Sequence, residues 1–156
     1  CDNAGLSGEK FRKGVVVVGT HQAPEPELLD YCMQQFFSFY HGENIASPYI
    51  KVAILHFYFV YMHPFCDGNG RIGRLITSDF LIRSGLENFS AITLSKTINE
   101  TAQDYYQALE NSENMFCDIT PFIQYMLKTV YDNLYEVLKN QNRYVVTYLD
   151  WGRMME

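Results

Sequence analysis

Hydrophobic positions along the chain change period several times, and each change marks an element. Val15, Val16, Val17 and Val18 run together between Gly14 and Gly19. Such a β-branched run bounded by glycines predicts a short strand, half of a hairpin. Residues 1–10 carry Gly5, Ser7 and Gly8 and read as a loose start; residues 21–26 hold two prolines and read as a turn. Leu28, Leu29, Cys32, Phe36 and Phe39 then recur at helical spacing behind Glu27 and Asp30, which predicts a helix over 26–40. Ser47-Pro48 is an N-cap followed by proline at the first helical position. The segment after it, 49–62, is apolar on nearly every side and belongs at the centre of the domain.

His63-Pro64 ends that helix, and Gly68-Asn69-Gly70 reads as a tight loop. Helical spacing returns over 72–84, with Leu75, Ile76, Phe80 and Leu81 inward and Gly85 as the stop. Residues 87–94 read as a connector. Ser95 or Thr97 caps a helix to about Asn111, with Ile98, Ala102, Tyr105, Tyr106 and Leu109 in period. Thr120-Pro121 caps a last helix over 121–139, and 140–156 form a tail. The pattern predicts an all-α bundle with one small β element near its start. The catalytic-size unit is 11–139, flanked by the loose segment 1–10 and the tail 140–156.

Composition narrows the class. A chain of 156 residues that is 47% hydrophobic has one domain with a sizeable core. Aromatic residues, at 15%, favour grooves lined by Tyr and Phe. The net charge of −6 speaks against a general nucleic-acid binder, though local arginines can still hold one nucleotide. Cys1, Cys32, Cys66 and Cys117 form no C-x-x-C pair and read as free thiols in a reducing compartment, the cytoplasm. The most apolar run, 52–62, is too short for a bilayer span, so no membrane partner is expected. The chain shows no signal peptide and opens on Cys1 without an initiator Met, which reads as a trimmed piece with a segment missing ahead of it.

The chemistry concentrates in residues 63–74, His-Pro-Phe-Cys-Asp-Gly-Asn-Gly-Arg-Ile-Gly-Arg. Glycines permit a turn whose backbone N–H groups face one concavity, and the helix start behind it adds positive dipole, so an anion fits there. Arg71 and Arg74 stand three apart and can flank the same anion. Asp67 at the loop mouth has the character of a ligand for Mg²⁺ bridging phosphates. His63 is a general-base candidate near neutral pH. Each feature alone is ordinary: a capping His, a turn, a solvated pair of arginines. Their concurrence within one short stretch points to an anion site that does chemistry.

This stretch resembles the Fic family signature, His-Pro-Phe-x-Asp/Glu-Gly-Asn-Gly-Arg-x-x-Arg, at every fixed position. The Val15–Val18 run resembles the family's flap hairpin, where target backbone would dock. The segment around Tyr105 and Tyr106 is similar to the helix after the motif, with both rings on the nucleotide side. The resemblance covers about 11–139. It implies a Fic-type helical bundle that transfers AMP from ATP to a hydroxyl of a target protein. His63 would take the hydroxyl proton, Phe65 would anchor the loop, and Asp67 would hold Mg²⁺. Gly68, Asn69 and Gly70 would form the anion cradle, and Arg71 and Arg74 would hold phosphates, Arg74 nearest the γ-phosphate.

One departure from the family stands out. Many members carry an inhibitory Ser/Thr-x-x-x-Glu-Gly/Asn helix. Here Glu43, Glu87, Glu110 and Glu113 precede Asn, but Phe39, Arg83, Tyr106 and Leu109 stand four residues before them. The inhibitor is absent, lies on another protein such as an antitoxin-like partner, or sat on a missing N-terminal segment, which is the favoured expectation. Transfer of another group, such as phosphate, UMP or phosphocholine, is the runner-up in the same fold; members that transfer phosphate tend to carry Lys at the second Gly of Gly-Asn-Gly, and Gly70 favours AMP. Removal of AMP would need a matched Glu. A non-catalytic interaction module with a relic nucleotide pocket is the reading from another class, and the intact His63, Asp67, Arg71 and Arg74 speak against it.

Overall fold

The computed structural model describes residues 11–42, 47–85, 91–114 and 118–153. An antiparallel hairpin of β1 (Val17–Val18) and β2 (His21–Gln22) leads into α1 (Leu29–His41), entered through a 3₁₀ turn at Pro26–Leu28. Then follow α2 (Pro48–Met62), α3 (Asn69–Arg83), α4 (Ala91–Glu100), α5 (Ala102–Asn114) and α6 (Thr120–Arg153). The all-α bundle with one small β element is the architecture observed.

Helix α2 is the pole of the bundle, as its uniform hydrophobicity requires, and it packs against α1, α3 and α6. On one side Leu55, Phe59 and Met62 meet Leu29, Met33 and Phe36 of α1. On another, Ala53 and Phe57 meet Phe122 and Met126 of α6, with Leu94, Ile98, Tyr105 and Ala108 completing the cluster. Lys51, also buried, donates to Gly42 O and lies 5.5 Å from the Phe39 ring centre and 5.3 Å from that of Phe80. Helix α3 meets α2 at Gly73, where a Cβ would stand 3.4 Å from the Phe59 ring, at the near edge of ordinary contact. No helix among the described residues is long and apolar enough to cross a membrane.

Several expectations are corrected. Helix α3 begins at Asn69, not Ile72. Gly68 takes the left-handed conformation (φ 84°) as its N-cap, and Ile72 N–H donates to Gly68 O at 2.9 Å, so the expected loop is the helix's first turn. Leu75 is 60% exposed; the buried stripe of α3 is Gly73, Thr77, Ser78 and Leu81. The hydroxyls can be buried because each bonds a carbonyl of the preceding turn, Thr77 to Gly73 O at 2.8 Å and Ser78 to Arg74 O at 3.0 Å.

The single helix expected after Ser95 is two, α4 and α5, interrupted at Thr101, whose hydroxyl bonds Thr97 O at 2.8 Å. Ser95 therefore lies inside α4, which also takes in the end of the expected connector. Ser47 makes no side-chain cap. Asp118, not Thr120, caps α6, accepting the Thr120 N–H at 3.0 Å and its hydroxyl at 2.6 Å. Helix α6 continues past Lys139 to Arg153, so most of the expected tail is helical. The loose start at 1–10 lies outside the described residues, as do Glu43, Glu87, Cys1 and Cys117.

Candidate active site

His63 is the C-cap of α2 and adopts the left-handed conformation (φ 46°, ψ 58°), the one non-glycine with positive φ among the described residues. That conformation costs on the order of 1–3 kcal/mol and persists only where the surroundings impose it. Proline after His63 stops the helix, and the left-handed turn swings the chain back toward α3. Its N–H still reaches Phe59 O at 3.2 Å. Burial pushes the His63 imidazole below its ordinary pKa, and Arg12 and His21 push the same way against a carbonyl at Val60. The ring is therefore neutral at pH 7, with a nitrogen able to accept a proton.

The loop after His63 is clamped by two residues. Phe65 packs into the α1–α2 cluster, its ring 6.0 Å from that of Phe11 and 6.4 Å from that of Phe59. Asn69, 2% exposed, accepts the Phe65 N–H at 2.9 Å and donates to Phe65 O at 2.7 Å. Its side chain thus belongs to the loop, and what Asn69 can offer an anion is its backbone N–H in the first turn of α3. A helix leaves these first N–H groups without intrahelical acceptors.

A cleft of about 560 Å³ opens above this turn. His63, Gly70 and Arg74 line it, with Val18 and His21 of the flap and Tyr105 and Tyr106 of α5. Asp67, Gly68, Asn69, Arg71 and Phe65 do not line it, nor do Val15, Val16 and Val17. Asp67 and Arg71 instead pair with each other at 2.8 Å on the surface, their side chains 90% and 73% exposed. Arg74 is held from α4, donating through Nε to Ser95 Oγ at 3.0 Å. Of the two tyrosines, Tyr105 is buried and Tyr106 is 62% exposed.

Four further residues shape the site without a local sequence signal. Arg12 bonds the backbone around His63. His56, buried in α2, stands behind Tyr105. The Thr77 hydroxyl donates to Gly73 O, so it accepts from His56 Nδ1–H at 2.8 Å, which leaves Nε2 to accept from the Tyr105 hydroxyl at 3.2 Å. Burial holds His56 down to about 4, with Arg74 pushing the same way, so this chain of bonds is built on a neutral ring. His21 and Glu113 close the far wall. His21 Nε2 donates to Tyr61 O at 2.8 Å, and Nδ1 lies 2.9 Å from Glu113 Oε1, tying the flap to α5. Burial raises the Glu113 carboxyl above its usual range, while His21 pulls it down. The Glu-Asn dipeptide at Glu113 was legible only as a failed inhibitory motif.

The fold and cleft together define a helical-bundle protein whose central helix ends in a neutral histidine beside a helix N-terminus and an arginine, under a β-hairpin. The chain belongs to the Fic/DOC family, whose model matches residues 3–81. It is 32% identical over 123 residues to "Protein adenylyltransferase Fic" of Drosophila erecta and 31% identical to the protein of that name from Aedes aegypti. Each match covers 78% of this chain and 23% of the relative's length. Among solved structures, a Fic family protein from Desulfovibrio desulfuricans superposes with a TM-score of 0.76 at 28% identity, over 88% of this chain and 44% of that one. Fic-1 from C. elegans superposes with a TM-score of 0.58 at 26% identity, over 80% of this chain and 36% of that one.

Proposed function

We propose that this domain transfers AMP from ATP to a hydroxyl side chain (Ser, Thr or Tyr) of a target protein. The observation that carries the reading is the meeting of a neutral His63 with Arg74 and the N-terminus of α3 in one cleft. Relatives that carry the name protein adenylyltransferase support it. His63 takes the proton from the target hydroxyl, whose oxygen forms a bond to the α-phosphorus of ATP as the bond to the bridging oxygen breaks and pyrophosphate leaves. Arg74 and the first-turn N–H groups of α3 stabilise the charge on the phosphates, so the protein contributes position and electrostatics.

Asp67 fits the demand of Mg²⁺, which is commonly held by one or two carboxylates together with substrate phosphates. Its carboxylate is open to solvent and, among the described residues, engaged by the exposed Arg71. Bound Mg²⁺ would neutralise phosphate charge. The flap is the proposed docking edge for the target backbone. Val15, Val17 and Val18 are exposed, so they are not core residues of the bundle. Control by an inhibitory segment or an antitoxin-like partner would act by placing a carboxylate against Arg74. Unpaired Cys32 and Cys66 agree with work in a reducing compartment such as the cytoplasm.

The test is incubation of a lysate with the domain, Mg²⁺ and ATP labelled at the α-phosphate. Label appears on protein with the wild type. His63→Ala lowers its rate by about 10²–10⁴ while nucleotide affinity stays within a few-fold. Label transfer at the wild-type rate by His63→Ala removes the base assignment.

A further inference from the structure

The residue that holds His63 lies outside its helix and loop. Arg12 precedes the flap and is 2% exposed. Its guanidinium bonds backbone carbonyls: Nε donates to His63 O at 2.8 Å, Nη1 to Gly14 O at 2.7 Å, and Nη2 to Met62 O at 3.3 Å and to Pro24 O. Its own N–H donates to Pro64 O at 3.0 Å. Three successive carbonyls at the turn, those of Met62, His63 and Pro64, are therefore tied to one residue. The Met62 and His63 carbonyls close α2, where the helix dipole is negative and intrahelical donors run out, and that of Pro64 lies just beyond. The other two carbonyls, of Gly14 and Pro24, stand on the two arms of the hairpin, before β1 and after β2.

We propose that Arg12 is a positioning residue: it locks the left-handed backbone of His63 and fastens it to both arms of the flap, so that the base and the docking edge share one frame. The inference rests on the AMP-transfer reading. Arg12 itself does not line the cleft, so its contribution passes through His63 and the flap. Displacements of about 1 Å at a reacting group can cost about 10²-fold in rate. Arginine suits the task because its planar fork bonds several carbonyls at once, whereas a lysine ammonium is a single point. The cleft that His63 lines also holds the charged and titratable groups of His21, Arg74, Glu110, Glu113, Tyr61, Tyr105 and Tyr106, and Arg12 stands behind it; Arg12 and His21 oppose protonation of His63.

Arg12→Lys and Arg12→Gln separate this role from a structural one. The measurements are kcat and KM for the target, ATP affinity, thermal unfolding and an NMR titration of the His63 ring. Arg12→Lys keeps the fold and holds ATP affinity within about threefold, but loses about 10–100-fold in kcat, with little change in the His63 titration because the charge remains. In Arg12→Gln the His63 ring titrates at higher pH, having lost a neighbouring cation, and its resonances broaden by exchange. Wild-type kcat in Arg12→Lys, or an unchanged His63 titration and line shape in folded Arg12→Gln, overturns the proposal. So does failure of both variants to fold, since Arg12 would then serve the fold at large. If the wild type transfers no AMP, the reading of the reaction fails, and the NMR arm still decides the role of Arg12.

Discussion

His56 makes the stability of the domain depend on pH in a way the structure quantifies. Its ring is 1% exposed and its pKa lies at about 4 against an ordinary 6.5. Above the ordinary value neither the folded nor the unfolded chain holds the proton, and the full stability is present. As pH falls from 6.5 toward 4, the unfolded chain takes up a proton that the folded one refuses, and stability drops by about 1.4 kcal/mol per pH unit. Between pH 7 and about pH 5 the loss comes to roughly 2 kcal/mol, and by pH 4 to roughly 3 kcal/mol. Urea unfolding at several pH values reads it directly. The control is the double variant His56→Phe, Tyr105→Phe. It keeps an aromatic ring stacked on Phe122, 5.8 Å away, and leaves no Tyr105 hydroxyl without an acceptor. His63, also depressed, contributes equally to both proteins, so their difference isolates His56. Equal loss of stability in wild type and double variant between pH 7 and pH 5 refutes the neutral buried histidine.

Substitutions at four other positions test the site. Asp67→Asn should blunt the response of activity to Mg²⁺ while changing thermal stability by under about 1 kcal/mol, the range for exposed pairs; an unchanged Mg²⁺ titration removes Asp67 from the metal site. Arg74→Ala should weaken ATP more than ADP by about 10–100-fold, the worth of a charge-assisted bond, as measured by calorimetry; equal losses put Arg74 elsewhere on the phosphate chain. Ala23 N–H donates to Val16 O at 3.0 Å, so the alternation of an antiparallel pair turns the Val17 backbone groups outward. Val17→Pro should therefore cut target modification with ATP affinity and Tm retained, while Val16→Pro should also disturb the hairpin; joint loss of affinity and Tm in Val17→Pro ends the docking idea.

Reading the sequence worked where a signal was local. Proline at 48, glycine at 85 and a hydrophobic stretch over 49–62, interrupted only by Lys51 and His56, are properties of neighbouring residues, and α2 and the end of α3 follow from them. The motif at 63–74 was legible for the same reason. The start of α3 is not legible because glycine and asparagine are poor helix formers; the left-handed Gly68 and the Asn69 bonds to Phe65 explain why the helix begins there. Periodicity places Leu75 inward, yet the buried stripe of α3 runs through Gly73, Thr77, Ser78 and Leu81, and Leu75 falls on the face turned away from it. Arg12 and His56 leave no trace in the sequence because their partners are remote: Arg12 and His63 lie 51 residues apart, and His56 and Tyr105 49. A buried polar residue announces itself only when its distant acceptors are known.

The motif's residues divide into two groups that differ in how firmly they are held, and that division bears on the chemistry. Asp67 and Arg71 form an exposed pair four residues apart, worth little and easily exchanged. Each partner can give up the other for a stronger one, Asp67 for a cation and Arg71 for a phosphate oxygen, without leaving a buried charge behind. His63 and Arg74 are held otherwise. His63 sits in a strained backbone fixed by buried Arg12, and Arg74 is tied to Ser95 and backed by the wall in which Tyr105, His56 and Thr77 satisfy one another. A transfer reaction asks for this asymmetry. The base must stand still while charge develops on the phosphates, because reorganisation at that moment adds to the barrier. In the proposed AMP transfer, groups that admit ATP and release pyrophosphate change partners in every turnover, and a surface pair does so at little cost.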